Sequence, residues 1–305
     1  MNRVLTSSVP LALGVAAAGG LPATCFPAEA AITVYELAEV THFHGLAVDE
    51  SSRLYLATHD GLFIVEPKDG TAYPLSEIRH DLMGFTPDPR NPSILYASGH
   101  PARGGNLGLI ASEDGGRSWR QLSEGVGGPA DFHQLAVSAT DPRTIYGPYR
   151  GQLQVSSDGG RTWELVGPAP EGLIDLAASS KEPGVLYAAT QVGLLKSEDG
   201  GRTWQDAYWL HQPATMVRVA PGGVVYAFVV GTGLIRSVEP KLSWQSVSEH
   251  SFGREYVFHL AVDPARPNKL YAITINPQET TQAVLARLTQ ARPGRRWAAR
   301  PTEPR

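Results

Sequence analysis

The chain has 305 residues and a formal net charge of −4, with 32 glycines, 24 prolines and a single cysteine. Charged residues make up 18% of the chain and apolar residues 42%, so a core can form, whereas a coiled coil, a disulfide scaffold and a zinc finger are excluded. Because the net charge is slightly negative, the sequence lacks the excess of basic residues that is typical of nucleic-acid-binding proteins. Frequent turn residues combined with few charges predict an all-β protein.

Residues 1–30 have the pattern of an export signal. Arg3 gives a positive start, residues 9–18 are apolar, and Ala28-Glu29-Ala30 fits a small-x-small cleavage site. The apolar stretch is too short for a membrane span. The alternative is a lipoprotein acylated at Cys25, although the residues before it make a poor lipobox. We expect a mature protein without cysteine, in the periplasm or outside the cell.

A short strand with the pattern Leu-Tyr-Ala recurs six times, at intervals of roughly 40 to 50 residues. An apolar strand precedes each copy, a glycine and a third strand follow it, and the fourth strand often begins with tryptophan. The tyrosines that mark the six copies are Tyr55, Tyr96, Tyr146, Tyr187, Tyr226 and Tyr271.

Six units of four strands predict a single-domain, six-bladed β-propeller over residues 31–305. A lone four-stranded sheet leaves apolar surface exposed, whereas blades stacked around an axis bury both faces and protect their edges. Residues 32–37 alternate like a strand, and we predict that this N-terminal strand pairs with the last blade and closes the ring. The predicted blades span residues 42–75, 80–123, 130–167, 172–209, 213–248 and 256–302.

Three of the units carry nearly the same turn, at residues 112–119, 156–163 and 197–204. In each turn the aspartate can accept backbone N–H groups, the glycine pair can adopt positive φ, and the tryptophan can fill the space between neighbouring sheets. These residues therefore have a predicted structural role, since each aspartate lies in the peripheral hairpin of its own blade. They are Asp114, Trp119, Asp158, Trp163, Asp199 and Trp204.

These turns resemble the Asp-box, or bacterial neuraminidase, repeat Ser-x-Asp-x-Gly-x-Thr-Trp. The longer unit is similar to the repeats of sortilin-type, xyloglucanase-type and photosystem II assembly-factor propellers, over about residues 42–302. The first, fifth and sixth units depart from the pattern, and Glu239 takes the aspartate position in the fifth. The resemblance implies the propeller fold. It leaves the activity open, because the Phe/Tyr-Arg-Ile-Pro segment of sialidases is missing and the chain has material for one propeller, not two.

The innermost strand of each blade faces the propeller axis, and the mouth of the axial channel is the usual ligand site. Aligning the repeats puts six residues at one equivalent position of these strands: His44, Met83, His133, Ile174, Met216 and Phe258. Four more histidines lie near the same rim, and a glycine-rich insertion in the second blade adds an arginine. The candidate ligand-binding residues are therefore His44 and His133 together with these five: His42, His59, His100, His259 and Arg103.

Imidazole and thioether groups suit copper, and an exported protein without cysteine has to use them in place of thiolates. One hypothesis is therefore a copper site formed by His44, His133, Met83 and Met216. The alternative is that these side chains only fill a partly wet, partly apolar channel, in which rings and thioethers pack well.

Five carboxylates near the rim are candidate catalytic residues: Asp60, Asp81, Asp131, Asp175 and Glu255. A glycosidase needs two carboxylates about 5 to 10 Å apart, one of them with a raised pKa. The alternative role of these acids is to cap loops or face solvent. Three hypotheses follow. The first is a monomeric module that binds a protein or a glycan, the second a glycoside hydrolase, and the third a periplasmic copper-binding protein.

Overall fold

The computed structural model describes most of the chain between residues 35 and 298. The described residues are 35–36, 40, 42–66, 69–77, 79–209, 211–247, 252, 254–278, 281–286 and 296–298. The predicted export signal and Cys25 lie outside them. These residues form 25 β-strands and no helix, so the all-β prediction is confirmed.

The strands follow one another along the chain in six groups of four, preceded by the short strand β1 (Tyr35–Glu36). Blade 1 consists of β2 (Phe43–Val48), β3 (Leu54–Thr58), β4 (Gly61–Glu66) and β5 (Thr71–Pro74). Blade 2 consists of β6 (Asp81–Pro87), β7 (Leu95–His100), β8 (Leu109–Ser112) and β9 (Arg120–Ser123). Blade 3 consists of β10 (Ala136–Val137), β11 (Ile145–Tyr149), β12 (Gln152–Ser156) and β13 (Glu164–Pro168).

The second half repeats this order. Blade 4 consists of β14 (Leu173–Ala178), β15 (Leu186–Thr190), β16 (Leu194–Ser197) and β17 (Gln205–Asp206). Blade 5 consists of β18 (Ala214–Ala220), β19 (Val224–Val229), β20 (Gly233–Val238) and β21 (Gln245–Ser246). Blade 6 consists of β22 (Tyr256–Val262), β23 (Leu270–Asn276), β24 (Thr281–Ala286) and β25 (Arg296–Ala298).

Each blade is an antiparallel meander, and the first strand of every blade contacts the first strand of the next. The first strand of blade 6 also contacts the first strand of blade 1, so the six sheets form a closed ring. This arrangement confirms the predicted six-bladed propeller.

The prediction for the N-terminal strand is wrong. Strand β1 pairs with β5, the outer strand of blade 1, through Tyr35 opposite Ala72 and Glu36 opposite Thr71. Blade 6 needs no strand from the N-terminus, because β25 already occupies its outer position. Blade 1 instead offers an unpaired outer edge close to β1 in the chain, and β1 covers that edge.

The core is divided among the seams between blades. Six clusters of buried apolar side chains are present in the described residues, and each draws on two adjacent blades. Tyr187 and Tyr271, from the recurring Leu-Tyr-Ala strand, have no solvent exposure. The repeated strand therefore supplies the buried wall of each blade, which explains why the repeat is visible in the sequence.

The Asp-box turns join neighbouring blades at the periphery. In the turn of blade 2, Asp114 Oδ1 accepts hydrogen bonds from the backbone N–H groups of Arg117 at 3.0 Å and Ser118 at 2.9 Å. Gly116 has a φ of +92°, and a Cβ there would lie 2.4 Å from a methyl carbon of Leu62 in blade 1. Trp119 packs against the same cluster between blades 1 and 2.

Candidate functional site

Two groups of histidine and aspartate lie on the face of the ring where the innermost strands begin. Site 1 consists of His44 on β2, His59 in the turn between β3 and β4, and Asp81, the first residue of β6. His59 Nδ1 lies 2.7 Å from Asp81 Oδ2, and His44 Nε2 lies 3.5 Å from Asp81 Oδ1. The two histidines come from blade 1 and the aspartate from blade 2, so the group spans one seam.

Site 2 spans the next seam with the same types of residue. It consists of His100 at the end of β7 together with Asp131 and His133, which precede β10. Asp131 Oδ2 lies 3.1 Å from His100 Nε2 and 2.6 Å from His133 Nε2. His100 Nδ1 lies 2.9 Å from the carbonyl oxygen of Gly105. Since a carbonyl can only accept, Nδ1 carries the proton and Nε2 points to Asp131.

Several polar atoms in these groups are buried and have no hydrogen-bond partner: His44 Nε2, Asp81 Oδ1 and Asp131 Oδ1. Burying a polar atom without a partner destabilises a protein by about 1 to 3 kcal/mol, so such atoms are rare outside functional sites. Among the described residues, two more such atoms, His80 Nδ1 and the Tyr271 hydroxyl oxygen, lie outside the two groups. The three atoms within the groups are of the kinds that ligate metals. A bound cation would give these buried atoms a partner and so remove the energetic cost of leaving them unpaired.

The electrostatics keep one of the imidazoles neutral. Burial, helped by the nearby His59, lowers the pKa of His44 to about 3, so its ring nitrogen is available as a ligand at neutral pH. At site 2 the hydrogen bond with Asp131 raises the pKa of His133. Site 1 is also the less exposed of the two, because the side chain of His44 is 17% exposed and that of His133 63%.

A third histidine approaches site 1. His42 has a φ of 53°, in the left-handed region that few non-glycine residues adopt. Its ring centroid lies 4.4 Å from that of His59 and 6.4 Å from that of His44. Three imidazoles thus stand together beside Asp81, and backbone strain at such a place is typical of a functional site.

The axial channel below these sites is narrow, and a second set of titratable side chains lines it. It is a cavity of about 40 Å³, lined among others by Asp175, Arg218 and His259. Asp175 accepts hydrogen bonds from the backbone N–H groups of Leu176 at 2.9 Å and Val217 at 3.0 Å. Burial raises its pKa to about 7 and lowers that of His259 to about 4. The space is too small for a sugar, so Asp175 ties blade 4 to blade 5 and has no room to protonate a glycoside.

The pairing of the inner strands corrects one member of the set of residues that the sequence placed at positions equivalent to His44. Tyr226 pairs with Arg218, whereas Tyr55 pairs with Ala47, so the residue equivalent to His44 in blade 5 is Thr215 and not Met216. Met216 is 1% exposed, in the apolar cluster between blades 5 and 6. Met83 lies on β6 opposite Ser98. His44 and His133 lie in two separate groups, site 1 and site 2.

The other predicted residues lie around the rim. Glu255 Oε2 accepts a hydrogen bond from the hydroxyl of Thr274 at 3.0 Å, and Asp60 is an exposed residue of the turn after β3. Arg103 is exposed in the insertion of blade 2. Asp81 and Asp131 both stand against imidazoles, and Asp175 is inside the channel.

An open groove, which no sequence pattern predicted, runs beside site 2. It has a volume of about 620 Å³ and lies between blades 3 and 4. Asp131 and His133 form part of its wall, with Tyr149, Arg150 and Glu171 among the other lining residues. The guanidinium carbon of Arg150 lies 5.1 Å from the centroid of the Tyr149 ring.

Comparison with known proteins agrees with this architecture. A model of the BNR/Asp-box repeat matches residues 154–165, the part of blade 3 that carries Asp158 and Trp163. The protein is a β-propeller that carries a BNR/Asp-box repeat. No curated protein sequence matches the propeller significantly, and its described residues include no helix that can span a membrane.

Solved structures resemble the propeller at low sequence identity. The GH74 xyloglucanase of Xanthomonas campestris has a TM-score of 0.57 and 17% identity, over 86% of this chain and 46% of that chain. An ancestral GH74 enzyme has a TM-score of 0.52 and 15% identity, over 89% and 40%. A gluconolactonase of X. campestris has a TM-score of 0.57 and 16% identity, over 79% and 86%. The propeller spans less than half of either GH74 enzyme, and these likenesses show the fold alone.

Proposed function

We propose that the propeller is an exported metal-binding protein that holds one divalent transition-metal ion at site 1 and one at site 2. The observation that supports this best is the duplicated group of two histidines and one aspartate across two successive seams. In each group, three potential ligand atoms lie within 4.8 Å of one another. Nitrogen and oxygen ligands of this kind suit zinc, iron, nickel and copper ions.

The distances within each group fit such an ion with small adjustments. Ligand atoms that each lie about 2.1 Å from a metal ion are separated by about 3 Å or slightly more. The separations from aspartate oxygen to histidine nitrogen run from 2.6 to 3.5 Å over the two sites. The bond from His100 Nδ1 to the carbonyl of Gly105 is the kind of second contact that orients a metal-ligating histidine.

This ligand set differs from the copper set that the sequence suggested. It keeps His44 and His133 but places them in different sites, and it replaces the methionines with aspartates. An exported protein whose only cysteine lies in its signal has imidazole and carboxylate as its remaining strong ligands. Export itself is part of the proposal and rests on the pattern of residues 1–30.

Metal content measured with single-site variants tests the proposal. The mature protein is stripped with chelator, titrated with Zn²⁺ by calorimetry, and analysed for zinc after dialysis. We expect two ions per chain in the wild type, one in His59→Ala, one in His100→Ala, and none in the double variant. Both histidines are about 40% exposed, so their replacement leaves the core intact.

His211→Ala is the matched control. His211 is 72% exposed and lies 3.9 Å from Asp206, away from both sites, so this variant keeps two ions. Circular dichroism verifies that all five proteins are folded. The proposal is wrong if folded wild-type protein retains no zinc, or if the double variant retains as much as the wild type.

A further inference from the structure

The two metal sites differ in how far they are closed. At site 1 the ring of His42 stands beside those of His44 and His59, and Asp81 is 15% exposed. Each site has three ligating residues. At site 1 His44 is 17% and His59 40% exposed, whereas at site 2 His100 is 41% and His133 63% exposed. A metal ion held by three protein ligands keeps a coordination position for water or for a ligand. With the more exposed His133 and the open groove beside it, site 2 is the more accessible of the two to a further molecule.

The groove beside site 2 has the size and lining of a binding site for a small molecule. Its volume of about 620 Å³ lies within the usual range of roughly 300 to 1,000 Å³ for such sites. One part of its wall is apolar, from Pro148, Pro170 and Leu173, and another carries Arg150 and Glu171. An occupant with a small ring that packs against the prolines and a charged end that faces Arg150 matches this division.

The position of Arg150 is set by its surroundings. Its φ of 50° belongs to the tight turn between β11 and β12, and its guanidinium stacks on Tyr149. The Tyr149 hydroxyl in turn accepts a hydrogen bond from Asn106 Nδ2 at 3.0 Å. Asn106 belongs to the same insertion in blade 2 that orients His100. One loop thus supports both the metal ligand and the arginine of the groove.

We propose that the groove binds a small monocarboxylate, whose carboxylate group coordinates the ion at site 2 while Arg150 supplies a second positive charge. This inference rests on the proposed metal-binding function. A carboxylate is a ligand for transition-metal ions and pairs with a guanidinium, so it satisfies both groups. Glu171 adds a negative charge to the groove and disfavours a second carboxylate on the occupant.

The test uses the His59→Ala variant loaded with Co²⁺, so that only site 2 contributes to the visible d–d spectrum. Glucuronate is the probe, and glucose, which has the same ring without the carboxylate, is the matched control. We expect glucuronate to change the spectrum saturably and glucose to leave it unchanged. Arg150→Ala in the same background weakens glucuronate binding about tenfold, as expected for the loss of one charge-assisted contact.

Metal content, measured on the same samples, separates the two proposals. If His59→Ala holds no cobalt, the metal-binding function itself fails. If it holds one ion but glucuronate leaves the spectrum unchanged, or if glucose binds equally well, the carboxylate inference is wrong and the metal site stands. Unaltered glucuronate affinity in Arg150→Ala also overturns the assigned role of the arginine. Glu171→Gln is expected to bind glucuronate more tightly than its parent.

Discussion

At the scale of single residues, Asp175 shows how burial changes the role of an acid that the sequence places near the channel. Its two carboxylate oxygens accept the backbone N–H groups of Leu176 and Val217, and burial raises its pKa to about 7. A raised pKa in a pocket often indicates a catalytic acid. Here the cavity of about 40 Å³ admits no sugar, and the group acts as a link between blades.

This role predicts a particular pH dependence of stability. In the unfolded chain the pKa of an aspartate is about 3.9, so between that pH and about 7 the folded protein binds the extra proton at Asp175. The contribution of Asp175 to the free energy of unfolding is therefore fully present below about pH 3.9, its pKa in the unfolded chain, and is lost as the pH rises to about 7, its pKa in the folded protein. The loss is at most about 1.4 kcal/mol per pH unit.

Asp175→Asn has no group that titrates at this position, so its free energy of unfolding does not fall with pH for this reason. Between pH 5 and pH 7 the free energy of unfolding of wild type falls, and the variant therefore becomes more stable relative to it. Urea unfolding at pH 5, 6 and 7 measures the difference. Asp206→Asn, at a side chain 54% exposed, serves as control and follows the wild-type profile. Parallel profiles for Asp175→Asn and wild type would show that Asp175 is ionised in the folded protein throughout this range.

At the scale of elements, the seam between blades 6 and 1 is where the ring closes. Gln282 on β24 accepts a hydrogen bond from the N–H of Phe43 at 2.6 Å and donates one to its carbonyl at 3.2 Å. One side chain thereby satisfies both backbone groups of the first residue of β2. Together with the apolar cluster shared by blades 6 and 1, this glutamine closes the ring without the predicted N-terminal strand, and β1 covers the outer edge of blade 1.

Gln282→Ala leaves these two backbone groups without their partner, so we expect the free energy of unfolding to fall by about 1 to 2 kcal/mol. Chemical unfolding measures the change. Gln278→Ala is the control, because Gln278 lies in the exposed turn before β24 and contacts Arg254. An equal, small effect of both substitutions would show that apolar packing alone closes the ring.

At the scale of the whole molecule, the two proposed metal ions connect three consecutive blades. Site 1 joins blades 1 and 2, and site 2 joins blades 2 and 3. An ion that binds the folded protein and not the unfolded chain stabilises it by about 2.7 kcal/mol per site at a free concentration 100 times its dissociation constant. Metal binding is therefore expected to raise the stability of the ring as well as to create a ligand site.

Thermal unfolding with and without Zn²⁺ measures this effect. The wild type is expected to gain several degrees in Tm, each single variant about half of that gain, and the His59→Ala/His100→Ala double variant none. His211→Ala behaves as the wild type does. A gain in the double variant equal to that of the wild type would assign the stabilisation to other residues.

Local regularities made the fold predictable. The Leu-Tyr-Ala strand recurs because every blade needs the same buried wall, and Tyr187 and Tyr271 are fully buried for that reason. The Asp-box recurs because one set of hydrogen bonds closes the same turn, as around Asp114. The sequence by itself therefore determined the all-β class and the blade number, since these depend on patterns that repeat within each unit.

Only the tertiary structure decided which histidines meet. Bulges in the inner strands, such as those between Phe43 and Gly45 and between Ala214 and Met216, change the direction of the side chains that follow. These two bulges occupy the same position in blades 1 and 5, so the strand pairing makes Thr215, and not Met216, the counterpart of His44. His59 and Asp81 meet because the turn of one blade lies over the first strand of the next. That contact depends on how blades pack around the axis, which no local pattern encodes.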